Sequence, residues 1–99
     1  MLVYDACEIK VVSGDNIIIE DVPLLLFGIY SPNIRFLEGM LARAALVRKL
    51  EEHGTILVNI IPDRRKTKLQ DLCELFAGWD VNINHWMVQN GFAKAHIGR

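Results

Sequence analysis

The chain has 99 residues, which is one domain's worth, and 52% of them are hydrophobic. Eleven Lys and Arg are offset by twelve Asp and Glu for a net charge of −1, so no global field draws the chain onto nucleic acid or an anionic membrane and any polyanion site must be local. The apolar fraction exceeds the roughly 45–50% of an average globular chain, and this surplus predicts self-association or docking on a partner protein through exposed apolar surface.

The opening Met1-Leu2-Val3-Tyr4-Asp5 lacks the positive charge and the apolar stretch of a secretion signal, so the expected location is cytoplasmic. Ile9, Val11 and Val12 run into Ser13-Gly14-Asp15-Asn16, a cluster of turn formers, and Ile17-Ile18-Ile19 follow at once, which predicts an antiparallel hairpin. Glu20-Asp21 makes a second turn before the apolar run 22–29, whose length and aliphatic content suit a strand buried on both faces. With Pro23 and Gly28 inside it, this run falls far short of the roughly 20 residues of a membrane helix, and no membrane span is expected. Ser31-Pro32-Asn33 ends this three-stranded meander and offers a helix start.

Over 34–53, Leu37, Met40, Leu41, Ala44, Val47 and Leu50 recur at spacings of three and four, with Glu38, Arg43, Arg48, Lys49 and Glu51 on the other side. An amphipathic helix is expected there, covering the sheet with that apolar stripe and closed by Gly54. Residues 55–61 are a β-branched strand ended by Pro62, followed by a charged loop at 63–68 and a short last strand at 72–77 before Gly78. Asp80 is expected to cap a final helix through Val81, Ile83, Met87 and Val88, closed by Asn90-Gly91, with 92–96 packing back. Three strands, a helix, two strands and a helix predict a mainly β fold with helices (α+β). Its expected form is a five-stranded Greek-key barrel of the OB type, order β-β-β-α-β-β-α, in a single domain over 1–99.

Cys7 and Cys73 read as reduced, half-buried small apolar residues, since nothing marks the chain for an oxidising compartment. His53, His85 and His96 stand far apart and show no ligand spacing, so no zinc site is expected. Trp79 and Trp86, flanking the last helix start, suit core or interface anchors.

The stretch 9–33 resembles the signature of the staphylococcal nuclease-like family, in which a valine-rich strand leads to an Asp-Gly-Asp-Thr turn, a strand and an Arg-Leu-x-Gly-Ile-Asp-x-Pro-Glu segment. This chain has Val12-Ser13-Gly14-Asp15-Asn16 and then Leu25-Leu26-Phe27-Gly28-Ile29-Tyr30-Ser31-Pro32-Asn33. Asp80-Val81-Asn82 with Met87-Val88 and Gly91-Phe92-Ala93 is similar to the family's last helix, so the resemblance covers about 8–96. It implies the barrel, and for an active member it implies phosphodiester hydrolysis with one calcium ion held by two aspartates, a glutamate acting on the attacking water and two arginines on the phosphate.

Carried over position by position, the resemblance implies that those groups are largely gone. The first metal aspartate falls on Asp15, which is retained, and the second on Tyr30, a phenol that stays neutral at pH 7. The glutamate falls on Asn33, which takes up no proton, the first arginine on Leu25, which offers neither charge nor donor, and an auxiliary acidic position on Ser13. The family's Asp-x-Tyr-Gly-Arg loop falls on Asp63-Arg64-Arg65-Lys66-Thr67-Lys68, where the pattern is broken and no residue takes the second arginine's role. No calcium or other cofactor is therefore expected unless the nuclease reading holds.

Asp15 keeps two readings, a vestigial metal ligand or a turn former bonding neighbouring amides, the second being expected. Arg64, Arg65, Lys66 and Lys68 form the dense basic cluster, and read either as a solvated loop or as a grip on the phosphates of a single strand. Tyr30 reads either as a stacking platform for such a strand or as a ring buried against the first helix. Three functions follow in order of expectation. They are a non-catalytic barrel module that contacts a protein partner or itself, a weak single-stranded nucleic-acid binder through the basic loop, and a calcium-dependent nuclease with a relocated site.

Overall fold

Ile9, Val11, Ile17 and Ile19 point the same way from two adjacent strands, and all four are buried. This alternation, inward every second residue, builds the sheet. The computed structural model describes residues 1–62, 71–78 and 80–96. Strand β1 (Leu2–Asp5) passes through one 3-10 turn (Ala6–Glu8) into β2 (Ile9–Ser13), then come β3 (Asn16–Ile19), β4 (Val22–Leu26) and a short β5 (Ile29–Tyr30). Helix α1 (Leu37–His53) is followed by β6 (Thr55–Ile61), β7 (Asp71–Ala77), β8 (Val81–Asn82), α2 (Ile83–Gln89) and β9 (Lys94–Ala95).

The main sheet runs β1-β6-β7-β4-β3-β2, with β8 on the end of β7, and β5 pairs β9 in a separate ribbon. Every pairing is antiparallel except β4 with β7, which is parallel in the register Leu24↔Asp71, Leu25↔Leu72, Leu26↔Cys73. The two ends of this path, β1 and β2, are consecutive in the chain, so the sheet curls on itself as a half-barrel. Leu24, Leu26, Ile56, Val58 and Leu75 fill its inside, and Leu46 and Leu50 of α1 and Ile83 and Met87 of α2 join the same core. The fold is thus mixed α+β, mainly strands, with a curled sheet and two helices. Among the described residues no helix is long and apolar enough to cross a membrane.

The hairpin β2–β3, its turn and the strand β6 lie where the sequence puts them. At the next turn Glu20 and Asp21 both take positive φ, 51° and 65°, the left-handed pair that suits a two-residue hairpin between right-twisted strands. The run 22–29 is not one doubly buried strand. Within β4 only Leu24 and Leu26 turn fully inward, Val22 and Phe27 are exposed, and the chain bends at Gly28 before resuming as β5 with Ile29 buried. Strand β1 was not anticipated.

Helix α1 differs more. It begins at Leu37 rather than 34, because Asn33 makes a turn of its own: its Oδ1 accepts the Arg35 N–H at 2.9 Å and its carbonyl accepts the Phe36 N–H at 3.0 Å. Its buried residues are Gly39, Ala42, Ala45, Leu46 and Leu50, whereas Leu37, Met40 and Leu41 of the expected stripe are 63%, 51% and 53% exposed. The reason is steric. A Cβ on Gly39 would run into the backbone carbonyl of Asn33, and one on Gly14 would meet the Ala42 Cβ at 2.8 Å. The first half of the helix touches the rest of the chain through Gly39, Ala42 and Ala45, residues too small to carry a hydrophobic signal, and its conspicuous side chains Leu37, Met40 and Leu41 are left facing out, while Leu46 and Leu50 further along reach the core.

The start of α2 also moves. Val81 and Asn82 are the strand β8 paired with Ala77 and Phe76, and the cap is Asn82, whose Oδ1 accepts the His85 N–H at 3.1 Å, not Asp80. Gly91 closes the end as expected, and 92–96 returns as β9, with the His96 N–H on the Gly28 carbonyl at 2.8 Å. Asn84, 1% exposed, ties the helix to the parallel closure: it accepts from Leu75 N–H at 3.1 Å and donates to the carbonyls of Phe27 at 3.0 Å and Cys73 at 3.1 Å. Trp86 stacks on Phe92 with ring centroids 5.8 Å apart, and the Lys49 ammonium lies 4.9 Å above its ring. Trp79 lies outside the described residues.

The two cysteines separate, Cys7 exposed and Cys73 buried, both free. The expectation of two half-buried thiols fails because Cys7 lies in the 3-10 turn and Cys73 in the inner strand β7.

Two measurements follow from this packing. Gly39→Ala, a change that stabilises an open helix interior by about 1 kcal/mol, is expected here to destabilise by about 1–3 kcal/mol in urea unfolding; a gain would show that α1 stands off from Asn33. Burial, with the Glu74 charge adding to it, pushes the Cys73 thiol up from 9.0 to about 12. A thiol reagent at neutral pH should therefore titrate one cysteine in the native protein and two in denaturant. Because the native state resists this ionisation, the Cys73 contribution to stability is constant below pH 9 and falls as pH rises from there towards 12. A Cys73→Ser variant should lack that decline.

Candidate functional site

Asp15 sits in the β2–β3 turn, 7% exposed, and its carboxylate works inside the fold. Oδ1 accepts the Ser13 hydroxyl at 2.8 Å and Oδ2 accepts the Ser31 backbone N–H at 3.2 Å, while the Asp15 carbonyl accepts the Leu26 N–H at 2.8 Å. One residue thereby joins the turn to the end of β4 and to the segment leaving β5. The turn can come this close because Gly14 lies against the Ser31 side chain and Ala42, a gap that a Cβ would overfill.

These bonds bring the chain positions singled out in the sequence into one region. Leu25 lies half-buried on β4, level with Asn16 of β3 and Leu72 of β7. Tyr30 precedes Ser31 directly, pairs with Lys94 across the β5–β9 ribbon, and is 47% exposed with its ring centroid 6.1 Å from that of His96. Of the two readings of Tyr30, burial against α1 is therefore excluded. Asn33 is exposed at the foot of α1, its side-chain oxygen taken by the Arg35 N–H. A cleft of about 360 Å³ adjoins through Pro32, between Phe36, Glu38, Phe92 and Lys94.

The region thus offers a carboxylate already accepting two hydrogen bonds, an aliphatic side chain, a phenol and an amide. Among the described residues no group of three or more His, Cys, Asp or Glu side chains is placed to share a metal ion. Arg64, Arg65, Lys66 and Lys68 lie outside the described residues. Ser31, Gly14 and Ala42, which position Asp15, were not singled out as its partners: Ser31 reads in sequence as a helix start, and a close approach between distant small residues leaves no periodic trace.

Since the carboxylate carries two internal hydrogen bonds, Asp15→Ala is expected to lower stability by about 2–3 kcal/mol, measured by chemical denaturation in the presence of a chelator. A residue serving only to hold a metal would leave the chelated protein unchanged. No protein-family model matches the chain, and no curated protein matches it either.

Proposed function

We propose that this chain is a catalytically degenerate staphylococcal nuclease-like barrel that works as a binding module, contacting a protein partner or a copy of itself. The strand order supports the barrel type. Taking β1 and β2 as two halves of one bent strand, the path returns to its start through β3, β4, β7 and β6, with the parallel pair β4–β7 between the two halves of the chain. That return path supports a Greek-key barrel of the OB type.

The observation that carries the loss of catalysis is the charge left around Asp15. Calcium takes six to eight oxygens, usually from several carboxylates, and phosphoryl transfer needs fixed positive charge against the oxygens of the transition state. Leu25, Tyr30 and Asn33 supply neither, and Asp15 is committed to Ser13 and Ser31. The residues present do not fit a calcium site. Losing one such electrostatic group costs about 100- to 1000-fold in rate, and here a base, an arginine and a metal ligand are absent together.

Exposed apolar residues favour a protein contact. Phe36, Leu37, Met40 and Leu41 are each more than half exposed, and such groups on a small protein mark contact sites. One observation favours the second reading, a weak single-strand binder. The exposed Tyr30 stands beside His96 and Lys94, a ring and a cation of the sort that hold an unpaired base. A labelled oligonucleotide tells the two apart: salt-dependent binding lost on Tyr30→Ala, or on replacing Arg64, Arg65, Lys66 and Lys68 by Ala, promotes the second.

The expected result for catalysis is that recombinant protein degrades neither single-stranded DNA nor RNA above background with calcium present, and that calorimetry detects no calcium binding. Chelator-sensitive cleavage, or an ion seated at Asp15, would refute the proposal.

A further inference from the structure

The exposed stripe of α1 has the shape of an interface. At about 100° per residue, Leu37, Met40, Leu41 and Ala44 fall on one side of the helix, opposite Gly39, Ala42, Leu46 and Leu50, which face the core. The first two turns of α1 are therefore apolar on both faces, and one face is unused. We infer that this chain pairs with a second copy of itself through the outer face of α1, the two helices antiparallel about a two-fold axis near Arg43. The inference rests on the binding-module reading and names its partner.

Three observations point to a second copy. The first is area. Leu37, Met40 and Leu41, with Phe36 just ahead of the helix, are each more than half exposed, and together they offer on the order of 400 Å² of apolar surface, within the range of a contact patch on a small protein. A two-fold pairing counts that face twice, on the order of 800 Å² before its rim is added, against the roughly 1,200 Å² of the smallest specific interfaces. The second is register. A two-fold axis perpendicular to the plane of two antiparallel helices keeps each flank on its own side. With the axis near Arg43, Met40 of one protomer meets Val47 of its partner, and Glu38 of one meets Arg48 of the other. The third is charge. The sole ion pair among the described residues is Lys49–Glu52 at 3.7 Å, so Glu38 and Arg48 have no such partner there, while a net charge of −1 leaves little repulsion between copies.

A contact of this size, with no large aromatic anchor at its centre, should give a dimer with a dissociation constant on the order of 10 µM. Sedimentation velocity of the full chain, run from low micromolar to several hundred micromolar, should show monomer passing into dimer. Leu41→Glu, at an exposed position, should leave the circular dichroism spectrum unchanged and weaken the dimer at least about 30-fold. Glu38→Arg and Arg48→Glu should each weaken it about 5- to 10-fold, and the double reversal should restore it to within about 2-fold. A native chain that stays monomeric throughout, a folded Leu41→Glu variant that pairs as well as the native chain, or a double reversal no better than the singles would each overturn the inference. So would a monomer that uses Leu41 to hold lipid vesicles or another protein. The nuclease assay separates the two levels. A monomer without nuclease activity sinks the self-pairing alone, whereas a dimer that cleaves RNA with calcium sinks the non-catalytic reading and keeps the pairing.

Discussion

The contact on which the rest of this molecule depends is the close packing around the β2–β3 turn, where Gly14 lies against Ser31 and Ala42 and the neighbouring Asp15 carboxylate takes the Ser31 N–H. Three elements meet there: the hairpin, the segment leaving β5, and the first half of α1. A buried carboxylate is costly unless it is hydrogen-bonded, and this one meets the condition with Ser13 on one oxygen and Ser31 on the other. Gly39 repeats the theme one turn away, pressed on the carbonyl of Asn33. Because the first half of α1 approaches on glycine and alanine, its depth there is set by close backbone contact, whereas Leu46 and Leu50 pack into the core further along. That is also why Leu37, Met40 and Leu41 have no place inside.

Function follows from how the same atoms are used. A metal ligand must keep lone pairs aimed at an open position, whereas the Asp15 oxygens point into the protein at a hydroxyl and an amide. Of the other positions brought near it, the Tyr30 phenol lies outward beside His96, and the Asn33 amide oxygen is taken by the turn before α1. Such a region holds a loop in place well and polarises a phosphate ester poorly. The proposal of a binding module rests on this loss of directed charge, together with apolar side chains that the fold leaves in solvent.

Sequence and structure agree where a signal is local. The Ser13-Gly14-Asp15-Asn16 turn, the hairpin, Thr55–Ile61 and the closure of α1 at Gly54 depend on neighbours in the chain, and they lie as read. They part where a distant contact decides. The face of α1 was misjudged because periodicity weighs Leu and Met above Gly and Ala, whereas packing at short distance selects the small residues. The start of α2 was displaced because Val81 and Asn82 are drawn into a bridge with β7, which no local pattern announces. Asn84, which no local pattern singles out, makes three hydrogen bonds whose partners belong to β7 and Phe27, two of them buried. For the site, Asp15 was legible through its turn and its resemblance, but its partner Ser31 lay sixteen residues away.

The parallel pairing of β4 with β7 also governs how the chain comes to be folded. The meander β2–β3–β4 consists of adjacent segments and can assemble as soon as it leaves the ribosome, but the free edge of β4 has no partner until α1, β6 and β7 have all been made. Loop closure over that distance is slow compared with hairpin formation, so an aliphatic strand edge stands open during synthesis, the kind of edge that recruits other chains. Pro23 on β4, paired opposite Ile18, offers no N–H to such a neighbour. A nascent chain halted before residue 71 lacks β7 altogether, so the edge of β4 it presents is guarded by Pro23 alone.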